Sequence, residues 1–118
     1  MKEQFQASML RIHFGEADKW QGKPLHEAIV AKCQELGMAG AIVYRGIEGY
    51  GASTMIHHAG SWKRSKDAPI MLSIIDTEEQ IGKLMPHLDE MVVEGLVAMS
   101  RVEVIRYMRA SGAPPAYA

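Results

Sequence analysis

Cysteine is almost missing from this chain. One thiol, Cys33, in 118 residues excludes an internal disulfide and any metal centre built from several cysteines. A reducing compartment is the natural expectation. Charge of one sign is missing too. The 13 basic and 14 acidic residues leave a net charge of -1, so nothing electrostatic points to nucleic acid as a partner. A local basic pocket stays compatible with that balance. Long hydrophobic runs are absent, and none approaches the roughly 20 residues that span a bilayer. Met1 to Gln6 is polar and mixed in charge and lacks the basic-then-apolar layout of a secretory signal. A cytoplasmic protein is expected.

What the chain does contain is enough for one core and too little for two. Hydrophobic residues make up 47% and charged residues 23%, as in ordinary globular domains. Nine methionines suit a core with irregular gaps. We expect one domain over 1–109 and a flexible tail over 110–118, where two prolines and no apolar pattern occur.

Residues 6–14 alternate, with Leu10, Ile12 and Phe14 on one side and Met9, Arg11 and His13 on the other. This period of two predicts a strand with one face on a core. Gly15 to Gly22 reads as a loop. Pro24 suits the first turn of a helix. Leu25, Ala28, Ile29, Cys33 and Leu36 continue that helix until Gly37 stops it. Ala41 to Arg45 predicts a short strand. From Gly46 to Asp67 the pattern is lost and glycines recur at 46, 49, 51 and 60; so long a connection is often functional. Ile70 to Ile75 predicts a strand. Asp76 or Thr77 caps a second helix, with Ile81, Leu84, Met85, Leu88, Met91 and Val92 on its apolar face. Pro86 predicts a kink or break in it. Two short strands are expected at Leu96–Met99 and Val102–Tyr107.

The order is β-α-β-β-α-β with an extra short strand near the end. This predicts an α+β, ferredoxin-like sheet with both helices on one face. Met9, His13, Met71 and Ile75 then lie on the face without helices, where apolar residues favour a subunit interface.

Three clusters bear chemistry. Arg45-Gly46-Ile47-Glu48-Gly49-Tyr50-Gly51 starts at a strand end. Its glycines let a ligand approach backbone N–H groups, and Arg45 adds a planar donor suited to phosphate. Spacing alone does not separate this from glycines that only make turns. No Gly-Lys-Ser/Thr and no following helix makes it a Walker or Rossmann loop. Asp18-Lys19-Trp20-Gln21-Gly22-Lys23 mixes cations with an aromatic before a helix N-terminus; a solvated loop explains it equally well. Arg101, Arg106 and Arg109 lie near the last strand, the first two able to face opposite ways. The histidines, His13, His26, His57, His58 and His87, form no zinc motif. Cys33, on an apolar helix face, reads as an inert thiol. No catalytic residue emerges.

Several of these runs resemble PII-like signalling proteins. They are Leu36-Gly37-Met38-Ala39-Gly40-Ala41-Ile42-Val43, Gly46 and Gly49-Tyr50-Gly51. The stretch Leu10–Tyr107 more closely resembles a bacterial and archaeal branch of that superfamily catalogued as uncharacterised. There the hallmarks are Gly15-Glu16-Ala17-Asp18-Lys19, Gly22-Lys23-Pro24-Leu25, the Arg45–Gly51 run, Asp76-Thr77-Glu78-Glu79 and Val104-Ile105-Arg106-Tyr107. The resemblance implies a homotrimer with an adenine nucleotide (AMP, ADP or ATP) in clefts between subunits. It implies cleft residues Gly49, Tyr50, Gly51, Gly95 and Arg106, and a long loop, Gly46 to Lys66, that touches a protein target such as a membrane transporter. Two departures stand out. The turn Val93-Glu94-Gly95-Leu96 lacks the phosphate-gripping lysine of PII proteins, so Arg45, Lys19 or Lys23 would take its place. Ala52-Ser53-Thr54 stands where those proteins carry the glutamine that serves magnesium and 2-oxoglutarate.

The expectation is therefore a nucleotide-binding regulator and not an enzyme. The alternatives are a trimeric metal-binding protein of the copper-tolerance type and a small phosphoester-acting enzyme using His57, His58 or Arg45. Fold alone does not choose among them.

Overall fold

The computed structural model describes residues 1–49 and 68–109. Strand β1 (Lys2–Gly15) enters a short hairpin of β2 (Lys19–Trp20) and β3 (Lys23–Pro24), which leads directly into helix α1 (Leu25–Glu35). Strand β4 (Ile42–Arg45) follows, then β5 (Pro69–Asp76), helix α2 (Glu78–Met91) and strand β6 (Leu96–Tyr107). The main sheet has the order β4-β5-β1-β6, and every neighbour pair in it is antiparallel. This is the ferredoxin-like arrangement the element order predicts.

Register sorts the two faces. Leu10 pairs with Ile74, Ile12 with Leu72 and Phe14 with Ile70, and all six are buried. Both helices cover that face, contributing Leu25, Ile29, Cys33, Ile81, Leu84, Leu88 and Met91 to one core. Met9 pairs with Ile75 and His13 with Met71 on the opposite face, as expected. Met9, Met71 and Ile75 are half-buried there, while His13 is exposed.

Local chemistry fixes the helix ends. Gly37 closes α1 at φ 73. Its N–H donates to the Gln34 carbonyl at 3.1 Å, and Met38 N–H to the Cys33 carbonyl at 3.0 Å, which satisfies carbonyls that the helix leaves open. Thr77 caps α2, its hydroxyl accepting from Gln80 N at 3.2 Å. Asp76 instead accepts from Ala39 N at 2.8 Å, and the Gln80 amide donates to the Leu36 and Gly37 carbonyls. The start of one helix thereby ties down the end of the other.

Four expectations change. The first strand begins at Lys2, four residues before the alternation becomes apolar, because β6 supplies its ladder from Lys2 onward. The 15–22 loop contains half of the β2–β3 hairpin, with Lys19 opposite Pro24 and Trp20 opposite Lys23. Pro86 does not break its helix, which runs on to Met91. The two short strands expected after α2 are one continuous strand of 12 residues, carried across Ser100 and Arg101 by pairing with Met9 and Ser8. The long loop between β4 and β5 and the tail over 110–118 lie outside the described residues.

The β1–β5 ladder starts at Ser8, whereas the β1–β6 ladder starts at Lys2. Residues 2–7 and 102–107 therefore form a two-stranded arm that runs past the rest of the sheet.

Candidate functional site

Three strands, β4, β5 and β1, meet at one end of the sheet. Gly46 N–H, just after β4, donates to the Pro69 carbonyl at 2.7 Å, and Glu16 N–H, just after β1, donates to the Ala68 carbonyl at 2.8 Å. These bonds close the base of the 46–68 connection. Gly46 is required sterically, because a Cβ there would lie 2.6 Å from Pro69 Cγ. Gly49 is under no such pressure, with nothing within 4 Å of a Cβ built on it.

Arg45 projects from the end of β4 onto Glu16. Its Nε donates to Glu16 Oε2 at 3.0 Å and its terminal nitrogen to Oε1 at 3.2 Å. This is the forked pairing that a guanidinium makes with a carboxylate or a phosphate. The Arg45 hydrogen bond, with its positive charge and a backbone hydrogen bond at Ala68, holds the Glu16 carboxyl below its usual range against the opposing effect of burial. The sequence flagged Arg45 and quoted Glu16 within a motif, but no signal in either run joins them. They are 29 residues apart and meet only through the β1–β5–β4 register.

The other expected site residues distribute over the molecule. Gly95 lies in the turn before β6, so close to His13 O that a Cβ could not fit. It shares the sheet end with Arg45 but stands on the far side, across three strand spacings or about 14 Å. Lys19 and Lys23 are exposed on the β2–β3 hairpin. Lys23 helps line a groove of about 580 Å³ against α1, together with Trp20, Glu27, Lys32 and Met91. Tyr50 and Gly51, with His57 and His58, lie outside the described residues.

Arg106 is at the other end of the molecule. It sits on the arm opposite Glu3, donates to Glu3 Oε1 at 2.7 Å and stacks 5.3 Å from the Phe5 ring centroid. Its Nε is shielded and has no acceptor among the described residues. Ten strand residues separate Leu96 from Arg106, about 33 Å at the usual rise. One chain therefore cannot bring Arg45 and Arg106 to one ligand. Arg101 faces the other way, within 3.9 Å of Glu78 on α2. The sequence missed Glu3 and Phe5 because residues 1–6 show no apolar alternation.

Two further observations concern chemistry. Burial, aided by the Asp76 carboxylate, pushes the Cys33 thiol up to about 11, which suits an inert core group. Among the described residues, no three His, Cys, Asp or Glu side chains come together as a metal would require. No helix of the described residues is long and apolar enough to cross a membrane.

The profile of one family, described as Uncharacterized ACR, COG1993, matches residues 7–104. The chain belongs to the DUF190 family. It is 32% identical over 97 residues to a UPF0166 protein of Aquifex aeolicus, spanning 82% of this chain and 91% of that one. It is 30% identical over 101 residues to a UPF0166 protein of Methanocaldococcus jannaschii, spanning 85% and 93%. Among solved structures it is similar to CPII of Thiomonas intermedia K12 bound to ADP and bicarbonate. That match has a TM-score of 0.63 at 19% identity and covers 86% of this chain and 91% of that one. CPII is a nitrogen regulatory PII-like protein, also solved with ADP, AMP and bicarbonate. The DUF190 chain thus has the PII-like fold.

Proposed function

We propose that this DUF190 protein is a PII-like regulator that binds an adenine nucleotide in clefts between the subunits of a homotrimer. It would act in the cytoplasm, without catalysis, on a protein partner reached through the Gly46–Lys66 loop; a membrane transporter is the kind of target the resemblance implies. The observation that carries the reading is the separation of the two arginines. Arg45 and Gly46 stand at one end of the chain and Arg106 at the other, about 33 Å away along the strands, so a phosphate site using both draws them from two subunits. The ADP-bound forms of the PII-like neighbour support the ligand class. Assembly has two further supports. Phe5, Met9, Met71 and Ile75 leave a half-buried apolar stripe on the helix-free face. The outer edge of β6 has no partner among the described residues, and so long an open edge is normally covered.

Subunit mixing tests this directly. Arg45→Ala and Arg106→Ala chains, each binding ADP poorly, are unfolded together and co-refolded at equal amounts. A cleft shared by neighbours regains both arginines in about a quarter of sites, because each neighbouring position is filled at random in a closed ring. Calorimetric recovery of that fraction supports the reading. No recovery means that each site lies within one chain or that the arginines do not share one.

A further inference from the structure

The Arg45 fork is already occupied. Glu16 fills it with two hydrogen bonds of 3.0 and 3.2 Å, in the geometry that two phosphate oxygens would take. The pair is not sealed in the core. The Arg45 side chain is 43% exposed and that of Glu16 30%, so an anion from solution reaches the same donors without unfolding anything. Nor does the pair hold the sheet end closed by itself. The backbone bonds from Glu16 N–H to Ala68 and from Gly46 N–H to Pro69 do not involve either side chain. The carboxylate can leave while the backbone stays.

We propose that Glu16 is an internal competitor for the anion site at Arg45, an autoinhibitory contact that a phosphate group of the ligand must displace. This rests on the nucleotide reading above and adds how that site is regulated. A single carboxylate on a ligand offers Arg45 no more than Glu16 does already. A phosphate dianion offers more charge and a third oxygen, so the exchange selects phosphorylated ligands. Displacement also reaches both ends of the 46–68 connection, since Arg45 directly precedes it and the Glu16 carboxylate gives up its own hydrogen bond with the Ala68 backbone at its close.

ADP is titrated calorimetrically into the parent, Glu16→Gln and Glu90→Gln. Glu16→Gln keeps the side chain's size and removes its charge. Glu90→Gln makes the same change of net charge on the exposed face of α2. We expect Glu16→Gln to bind ADP about three- to ten-fold more tightly, the scale of a partly exposed ion pair together with the repulsion of a phosphate. Glu90→Gln should stay within about two-fold of the parent. Unchanged or weaker binding in Glu16→Gln, with the parent binding normally, overturns the proposal and leaves the nucleotide reading intact. Binding by Glu16→Gln alone supports the proposal in a stronger form. Binding by neither overturns both. A second measurement uses only the parent: carboxyl NMR of Glu16 with and without saturating ADP. Loss of Arg45 should raise the Glu16 pKa toward the ordinary carboxylate value, and an identical titration with ADP bound overturns the proposal even if the variant fails to fold.

Discussion

Strand β1 runs through two different environments. From Ser8 to His13 it has a neighbour on both sides and helices over one face, and Leu10 and Ile12 are completely buried. From Lys2 to Ala7 only β6 accompanies it, and Ile105 and Tyr107 on that partner are 47% and 66% exposed. An isolated two-stranded ribbon is marginal in water. The covered half folds on its own contacts, whereas the arm has a hydrogen-bond ladder but too little buried surface. The arm is thus suited to finding its remaining contacts in another chain, and it carries Arg106.

The largest test of this contrast is in the covered half. Leu84, fully buried on α2, should cost about 2–5 kcal/mol when changed to Ala, read as a lowered urea midpoint. Phe5→Ala on the arm should lower that midpoint much less and should instead weaken assembly. Light scattering checks this, the proposed trimer of 13.1 kDa chains corresponding to about 39 kDa for the parent. An equal midpoint loss in both variants would abolish the distinction between the two regions.

Ligand binding asks whether the two ends work together. A charge-assisted hydrogen bond contributes roughly 1.5–3 kcal/mol, so Arg45→Ala and Arg106→Ala should each weaken ADP binding about ten- to a hundred-fold, measured by calorimetry. Lys83→Ala, which removes an exposed cation from α2, should do little. Loss at one arginine only would confine the site to one end of the chain.

Acid gives a smaller effect with a definite sign. The Glu16 carboxyl titrates below its unfolded value because Arg45 donates to it. Its contribution is fully present above the ordinary Glu value of about 4.3 and disappears as pH falls through the lowered folded value. The stability difference between parent and Glu16→Gln, followed by urea denaturation, should therefore be constant at neutral pH and shrink below about pH 4. It should amount to no more than about 1 kcal/mol, since the pair is partly exposed.

The smallest signal comes from Cys33. With its thiol near 11, about one molecule in a thousand is thiolate at pH 8. Iodoacetamide should modify it at the rate of unfolding, and fast labelling of the native protein would show that the helix-covered half opens.

The strands at Leu10–Phe14 and Ile70–Ile75, both helices and the helix-bearing face were legible because each writes its burial into a local period of side chains. The Gly37 stop and the Thr77 cap were legible for a similar reason, since the groups they satisfy lie within a few residues. Of the arm, the strand over Val102–Tyr107 was legible, but its partner over residues 2–7 and their pairing were not. Glu3, Phe5, Val102 and Val104 gain meaning only from pairing across about a hundred residues of chain. Of the candidate site, Arg45 and Gly46 were readable from their place at a strand end. The Glu16 partner and the distance to Arg106 were decided by tertiary structure alone, because register, which no local pattern encodes, determines which side chains meet and which are kept a strand's length apart.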